Sequence, residues 1–357
     1  MSTPSLDAAL GSGDLDELLR WADRLCEVAD WEALVALGQR SRAAFAASGR
    51  QLWPIVSQVE YRLALEAPAS WAASVLVEGA GRFALGPLPE VAASTHTWAE
   101  LAPHVVAGPA AGLAAHERVV RGEDVGDARS SGLEVLELPG ALCQWEPAYA
   151  VATYRAGGGD FPAPPLPALA PLVLPDRVSV LDAVVDDVET CAAMRALVER
   201  WVVESDGVVE VVAVRGSAES AITAVASASE ASGSEPSASE PSASEPNPSG
   251  AGGPARGADV TPAQALAAMA WAGASGGAHG RRRGAAVGRF GAWWALAAVA
   301  GLLDDWPLPP ELLGEAAAEL RWLLWEPSRR PGGWSLHLAV EDPADGLAWA
   351  ITATDLA

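Results

Sequence analysis

Trp334–Thr352 reads WSLHLAVEDPADGLAWAIT, and this stretch decides the fold class. Trp334, Leu336, Leu338 and Val340 alternate with Ser335, His337 and Ala339. Beyond the turn Glu341–Gly346, Leu347, Trp349 and Ile351 alternate with Ala348, Ala350 and Thr352. Side chains on a strand point to opposite faces in turn, so a period of two in both arms predicts a β-hairpin with one apolar face per strand. The Asp-Pro and Asp-Gly pairs between the arms are turn chemistry rather than a catalytic dyad. His337 falls opposite the apolar set and is expected at the surface or a sheet edge. Val208–Val214 (VVEVVAV) is a β-branched run of strand length, expected in the centre of the same sheet.

Working outward, helices are expected to cover that sheet. Thr261-Pro262-Ala263-Gln264 combines an N-cap, a proline at the first helical position and a capping-box Gln, and opens a helix ending near Gly273. A second is predicted over 284–303. A third, from Pro309/Pro310, carries Leu312, Leu313, Ala316, Leu320, Leu323 and Leu324 and stops before Pro327. Val188–Val203 and Ala218–Val225 also carry helical spacing. Phe290–Leu303 is apolar but short for a membrane span and rich in Ala and Gly, which makes it a buried core helix.

The N-terminal part is helical throughout. Asp14 followed by Glu17 is a helix-start signature. Helix starts near residues 14, 31, 51 and 70 give one pair every ~37 to 39 residues, in the range of TPR and HEAT arrays, although the TPR signature residues are out of register. The expected fold is therefore α+β: an irregular helical array of TPR/HEAT-like pairs, then a small antiparallel sheet covered by helices. The expected divisions are a helical domain over 1–125, a connecting segment over 126–177, and an α+β domain over 178–357. In the connecting segment Leu133–Leu138 alternates as a short strand would. Phe161–Pro175 (FPAPPLPALAPLVLP) is extended chain, read as a strap over a domain surface before an SH3 or WW ligand. The α+β domain holds a disordered insertion at about 226–258, where Ser-Ala-Ser-Glu-Pro repeats over Ser234–Pro246.

Composition excludes more than it assigns. The net charge is −23, which opposes general binding to nucleic acid or anionic membranes. The chain has no lysine, so Schiff-base catalysis, the P-loop lysine and the kinase lysine are absent. Asn247, followed by Pro, is no glycosylation site. Cys26, Cys143 and Cys191 are too scattered for a disulfide framework or a zinc site, and the five histidines form no metal motif. The N-terminus shows no signal-peptide pattern, so a cytoplasmic location is expected. No metal and no cofactor is expected.

One segment breaks the acidic pattern. No acid occurs between Asp259 and Asp304, yet His279, Arg281, Arg282, Arg283 and Arg289 all fall there within a Gly-rich run. Three of those arginines precede or enter the first turn of a predicted helix, an end already positive from its free N–H groups. The placement becomes favourable when an anion sits there: phosphate, carboxylate, or acidic side chains of the chain itself. Internal neutralisation by Asp186, Asp187, Glu189 or the Glu341/Asp342 turn is the first reading, and an anion- or partner-binding site at these five residues the second.

Three segments, WEPAYAVATY, ASGGAHGRRRGAAVGRFGAWWAL and GWSLHLAVEDPADGLAWAITATD, resemble those of an uncharacterised family from high-GC Gram-positive bacteria. The resemblance covers mainly residues 130–357 and implies no activity. From the residues themselves, the expectation is a non-enzymatic cytoplasmic interaction or regulatory protein whose helix pairs offer grooves to a protein partner. The alternative is an enzyme or sensor that binds a nucleotide or phosphorylated metabolite at 275–289.

Overall fold

The computed structural model describes residues 6–48, 51–126, 135–181, 183–232, 255–328 and 332–356, and the fold is α+β. The Ser-Ala-Ser-Glu-Pro repeats lie outside the described residues. The chain forms two compact units, each discontinuous in sequence: residues 1–142, 148–162 and 282–287 make the first, and 143–147, 163–281 and 288–357 the second.

The first unit is a helical array. Its elements are α1 (Leu6–Ser12), α2 (Leu15–Glu27), α3 (Trp31–Ser48), α4 (Trp53–Glu66), the single turn α5 (Ala69–Ala72), α6 (Leu88–Thr95), the single turn α7 (Trp98–Leu101) and α8 (Pro109–Val120). A hairpin of β1 (Thr153–Arg155) and β2 (Gly158–Asp160) completes it. Asp14 caps α2 by accepting from the Glu17 N–H at 3.0 Å, as the sequence signature requires. α4 is the central element: it packs on α2, α3 and α6 and buries Ile55, Val59, Leu63 and Ala64. The fourth expected helix, from Ser70, is only α5 and a 3-10 turn, whereas α6 and the β1–β2 hairpin carry no strong sequence signal. Val135–Leu138 is turn and coil rather than strand, with Glu137 at φ 53°.

Among the described residues, the second unit is a seven-stranded, wholly antiparallel sheet with helices on it. In chain order the elements are β3 (Ala170–Pro171), α9 (Arg177–Leu181), β4 (Val184–Val185), α10 (Val188–Ala196), α11 (Glu199–Val203), β5 (Val208–Arg215), α12 (Ala218–Ser232), β6 (Arg256–Val260), α13 (Pro262–Ala274), α14 (Ala285–Val299, its first turn in the first unit), α15 (Pro310–Glu319), β7 (Arg321–Glu326), β8 (Trp334–Asp342) and β9 (Leu347–Asp355). The strand order is β3-β6-β7-β8-β9-β5-β4. The hairpin read from the sequence is β8–β9, running from Trp334↔Asp355 to Asp342↔Leu347. β5 pairs with β9 along its whole length, one place from the end of the sheet.

Both faces of the hairpin are buried, not one. α12 lies on the face carrying Val212, Val214, Leu323, Ala339, Ala348 and Ala350, and supplies Ala218, Ala221, Ile222 and Val225. Alanine had counted as the outward residue in the alternation, but here it is the small residue that lets a helix approach the sheet. The other face is closed too. Trp349 Nε1 donates to the Asp187 carboxylate at the start of α10 (2.8 Å), and Trp322 Nε1 donates to the Ala317 carbonyl in α15 (3.1 Å). Leu338 and Ile351 are fully buried, each contributing about 1.5–3 kcal/mol of transfer free energy. His337 is accordingly buried as well, contrary to the expectation of a surface residue.

Two further expectations are corrected. Leu320, Leu323 and Leu324 are not the end of a helix: α15 stops at Glu319, and Arg321–Glu326 is a strand between β6 and β8. A strand buried on both faces reads as a plain apolar run, which periodicity does not separate from a helix. At the two ends of the insertion expected at about 226–258 the chain is regular, since α12 runs on to Ser232 and β6 begins at Arg256; residues 233–254 lie outside the described residues. In the Pro-rich segment, Ala170–Pro171 adds to β6 as an end strand, and Leu172 and Leu174 pack on the α12 core. None of the described helices is long and apolar enough to cross a membrane.

Candidate functional site

Within the Gly/Arg-rich segment, Arg282 and Arg289 each end on a buried glutamate. α13 closes at Ala274, and its Thr261/Gln264 capping box is complete. In the turn that follows, Gly276 and Gly280 approach so closely that a Cβ on either would meet backbone at 2.1–2.3 Å. The turn is tied down by backbone donors: Ala278 N–H to Asp355 Oδ2 (2.6 Å), His279 N–H to Ser205 Oγ (3.2 Å) and Arg281 N–H to Glu204 Oε2 (3.1 Å). His279 and Arg281 are exposed and Arg283 half-buried.

Arg282 belongs to the first unit, where it makes a two-pronged pair with Glu90. Nε and Nη2 each donate at 2.7 Å, and Glu90 is fully buried. The first turn of α14 is aimed at the same place. Ala285 N–H donates to Glu90 Oε1 (3.1 Å), and Ala286 N–H donates to Glu117 Oε1 (2.9 Å). Tyr154 Oη donates to Glu90 Oε2 (2.5 Å), while Arg121 Nη1 donates to Glu117 Oε2 (3.0 Å). The helix N-terminus thus has its acceptors, and they are the carboxyl groups of two glutamates of the chain itself, of which Glu90 carries the charge. Burial works to raise the Glu90 pKa, but Arg282 outweighs it and holds the carboxyl below its ordinary range. Glu117 goes the other way: burial, then the Glu90 charge, push it up to about 7.

Arg289 repeats the pattern in the second unit. It is wholly buried, and its Nε and Nη2 donate to the two oxygens of Glu146 at 2.7 and 2.8 Å. Trp293 Nε1 and the Cys143 N–H donate to the same carboxylate at 2.9 and 2.8 Å. Burial opposes ionisation of Glu146, yet Arg289 keeps it charged, below the usual range. Burial and the Glu146 charge raise the Cys143 thiol to about 12, so it stays protonated. Arg282 and Arg289 are therefore engaged by Glu90 and Glu146. Of the acids proposed from the sequence, Glu341 pairs with Arg321 (3.2 Å) and Asp187 accepts from Trp349 Nε1.

In the first unit, an open surface lies along α4. Two adjoining grooves of ≈ 560 and ≈ 690 Å³ share Phe83. Trp53, Phe83 and Leu85 remain 46%, 42% and 48% exposed, and the Trp53 and Phe83 rings meet with centroids 4.0 Å apart. Their positions have identifiable causes. The segment 77–86 is drawn onto α4 by Glu60, whose Oε2 accepts from the Gly81 N–H at 2.6 Å. Gly81 takes φ +67° with Leu88 packed where a Cβ would stand, so the turn admits only glycine there. The opposite wall is the Ala156–Gly158 turn of the β1–β2 hairpin, held by Tyr61 Oη donating to the Arg155 carbonyl (2.6 Å). Charge marks the rim: Arg82 is exposed, with its guanidinium 5.4 Å from the Phe83 ring, and Arg42 pairs with Glu60. Sequence reasoning missed this groove; its one signal is an aromatic, Phe83, amid Gly79, Gly81 and Gly86.

No curated protein and no solved structure shows significant similarity to this chain. One family model, that of the family of unknown function DUF6183, matches residues 16–357, and thus both units. The chain belongs to this family, DUF6183.

Proposed function

We propose that the protein is a cytoplasmic, non-enzymatic interaction protein whose helical unit binds a short segment of a partner protein in the groove along α4. The observation that carries this reading is the run of three half-exposed apolar side chains, Trp53, Phe83 and Leu85, along two adjoining grooves that meet at Phe83. Aromatic side chains with open flanks are anchors in recognition, because they offer large contact area at little entropic cost. With Arg82 stacked beside them, the favoured partner carries an aromatic or long aliphatic anchor and an acidic residue next to it.

Selection of displayed random peptides against the chain tests this. Enrichment of an anchor-plus-acid motif, lost when the selection is repeated on Phe83→Asp, is the expected result. A motif that survives Phe83→Asp unchanged, or no motif at all, would overturn the reading. Arg82→Glu should weaken a selected peptide roughly tenfold, about 1.4 kcal/mol, and shift selection toward basic flanks.

A further inference from the structure

The two grooves that meet at Phe83 carry opposite charge. One is lined by Arg82, which is exposed and, among the described residues, pairs with no carboxylate. Its guanidinium lies 5.4 Å from the Phe83 ring, while Arg42 in the same groove is neutralised by Glu60. The other groove is lined by Asp23 and Arg62. Arg62 is buried, and two carboxylates share it: Glu66 accepts from Nε and Nη2 at 3.0 and 2.9 Å, and Asp23 accepts from Nη1. Two acids on one guanidinium leave a surplus negative charge. Asp23 is the more open of the two, its side chain 55% exposed against 30% for Glu66.

Between the two charges, α4 supplies groups that suit a main chain. Ser57 lines the Arg82 groove and Gln58, the next residue, lines the Asp23 groove. Among the described residues, neither the Ser57 hydroxyl nor the Gln58 amide has a hydrogen-bond partner. Each can both donate and accept, which matches the N–H and C=O groups of an extended segment. Phe83 lines both grooves, so a segment that crosses its ring enters both.

Charge complementarity then defines the occupant. A partner of one sign, such as an anionic membrane or a nucleic acid, would gain at Arg82 and lose at Asp23, against a chain of net charge −23. A segment that carries both signs gains at both ends. Resting on the reading that the α4 grooves hold a partner segment, we propose that this segment is zwitterionic: an apolar anchor against Phe83, an acidic side chain toward Arg82 and a basic side chain toward Asp23.

The test is fluorescence anisotropy of the full chain with three dye-labelled peptides, at about 0.15 M salt, where the Debye length is about 8 Å. The first peptide is Gly-Ser-Glu-Gly-Trp-Gly-Lys-Ser-Gly; in the other two, both charged positions are Glu or both are Lys. The mixed peptide should bind the native chain tightest, by about fivefold, the worth of one exposed ion pair. Arg82→Glu should move the preference to the Lys peptide and Asp23→Lys to the Glu peptide. The double variant Asp23→Lys/Arg82→Glu should return it to the mixed peptide, a result that also shows the substituted chain to be folded. Equal binding of the three peptides, or an order that ignores the substitutions, overturns the zwitterionic partner; if Phe83→Asp still abolishes that binding, the groove reading survives. Binding that Phe83→Asp leaves unchanged, or no binding of any peptide, overturns both.

Discussion

At the scale of single residues, the two buried carboxylates around Arg282 have opposite tendencies, and this makes them separable. Glu90 is held charged by a two-pronged guanidinium; removing that partner leaves a buried charge uncompensated. Arg282→Ala should therefore lower unfolding stability by about 3–5 kcal/mol in urea titrations. The double variant Arg282→Met/Glu90→Met should recover much of the loss, because a matched apolar pair carries no stranded charge. Glu117 is raised from 4.5 to about 7, so the folded chain binds more protons than the unfolded one between those values. Its contribution is complete below pH 4.5 and is lost as pH rises toward 7. His337 has the opposite slope. Its pKa falls from 6.5 to about 4, so its contribution is complete above pH 6.5 and is lost as pH falls toward 4. Stability measured against pH should lose its alkaline-side slope in Glu117→Gln and its acid-side slope in His337→Phe. A wild-type profile flat from pH 4 to 7 would contradict both assignments unless the two slopes cancel, and the single variants expose cancellation directly.

At the scale of elements, α13 and α14 meet through glycine. A Cβ on Gly288 would stand 2.1 Å from the Ala270 carbonyl oxygen, and one on Gly273 would stand 3.3 Å from Gly288 Cα. Gly288→Ala should force the helices apart and cost ~1–3 kcal/mol, visible as a lowered Tm, although alanine is the better helix former. The same scale shows what could be read in advance. The β8–β9 hairpin was legible because its period is two, and α13 because Thr261 and Gln264 close a capping box of purely local chemistry. β7 was not, since Trp322-Leu323-Leu324-Trp325 is apolar on every side and only its neighbours β6 and β8 decide that it is extended. The partner of Arg282 was illegible for a related reason. Glu90 lies 192 residues earlier, and local spacing carries nothing across that distance. What could be read was the need: basic residues at a helix N-terminus want an anion, and the fold supplies Glu90 and Glu117. The α4 groove had least signal of all, because exposure of Trp53 and Phe83 depends on how the 77–86 turn is held by Glu60.

At the scale of the whole molecule, the charge of −23 sets both stability and partner choice. Like charges over one chain favour expansion, and salt screens them with a Debye length of about 8 Å at 0.15 M. Raising ionic strength from 10 to 150 mM at pH 8 should raise the Tm, and a fall would mean that attractive pairs such as Arg321 with Glu219, Asp259 and Glu341 outweigh the repulsion. An acidic peptide would approach the α4 groove against this field, so its association should quicken with salt while Arg82 makes the specific contact.

The ends of the sheet carry a last consequence. β3 and β4 are two residues long each, and β3 ends in Pro171, which has no N–H to offer. The long strands β8, β9 and β5 are all interior. Open strands of β-branched and apolar residues present a template for strand addition, the first step of aggregation. Among the described residues β4 covers only Ala213 and Val214 of β5, and β3 only Arg256 and Gly257 of β6, so strand addition by a partner or a second copy would have to take place along Val208–Val212 or Ala258–Val260 rather than on the end strands themselves.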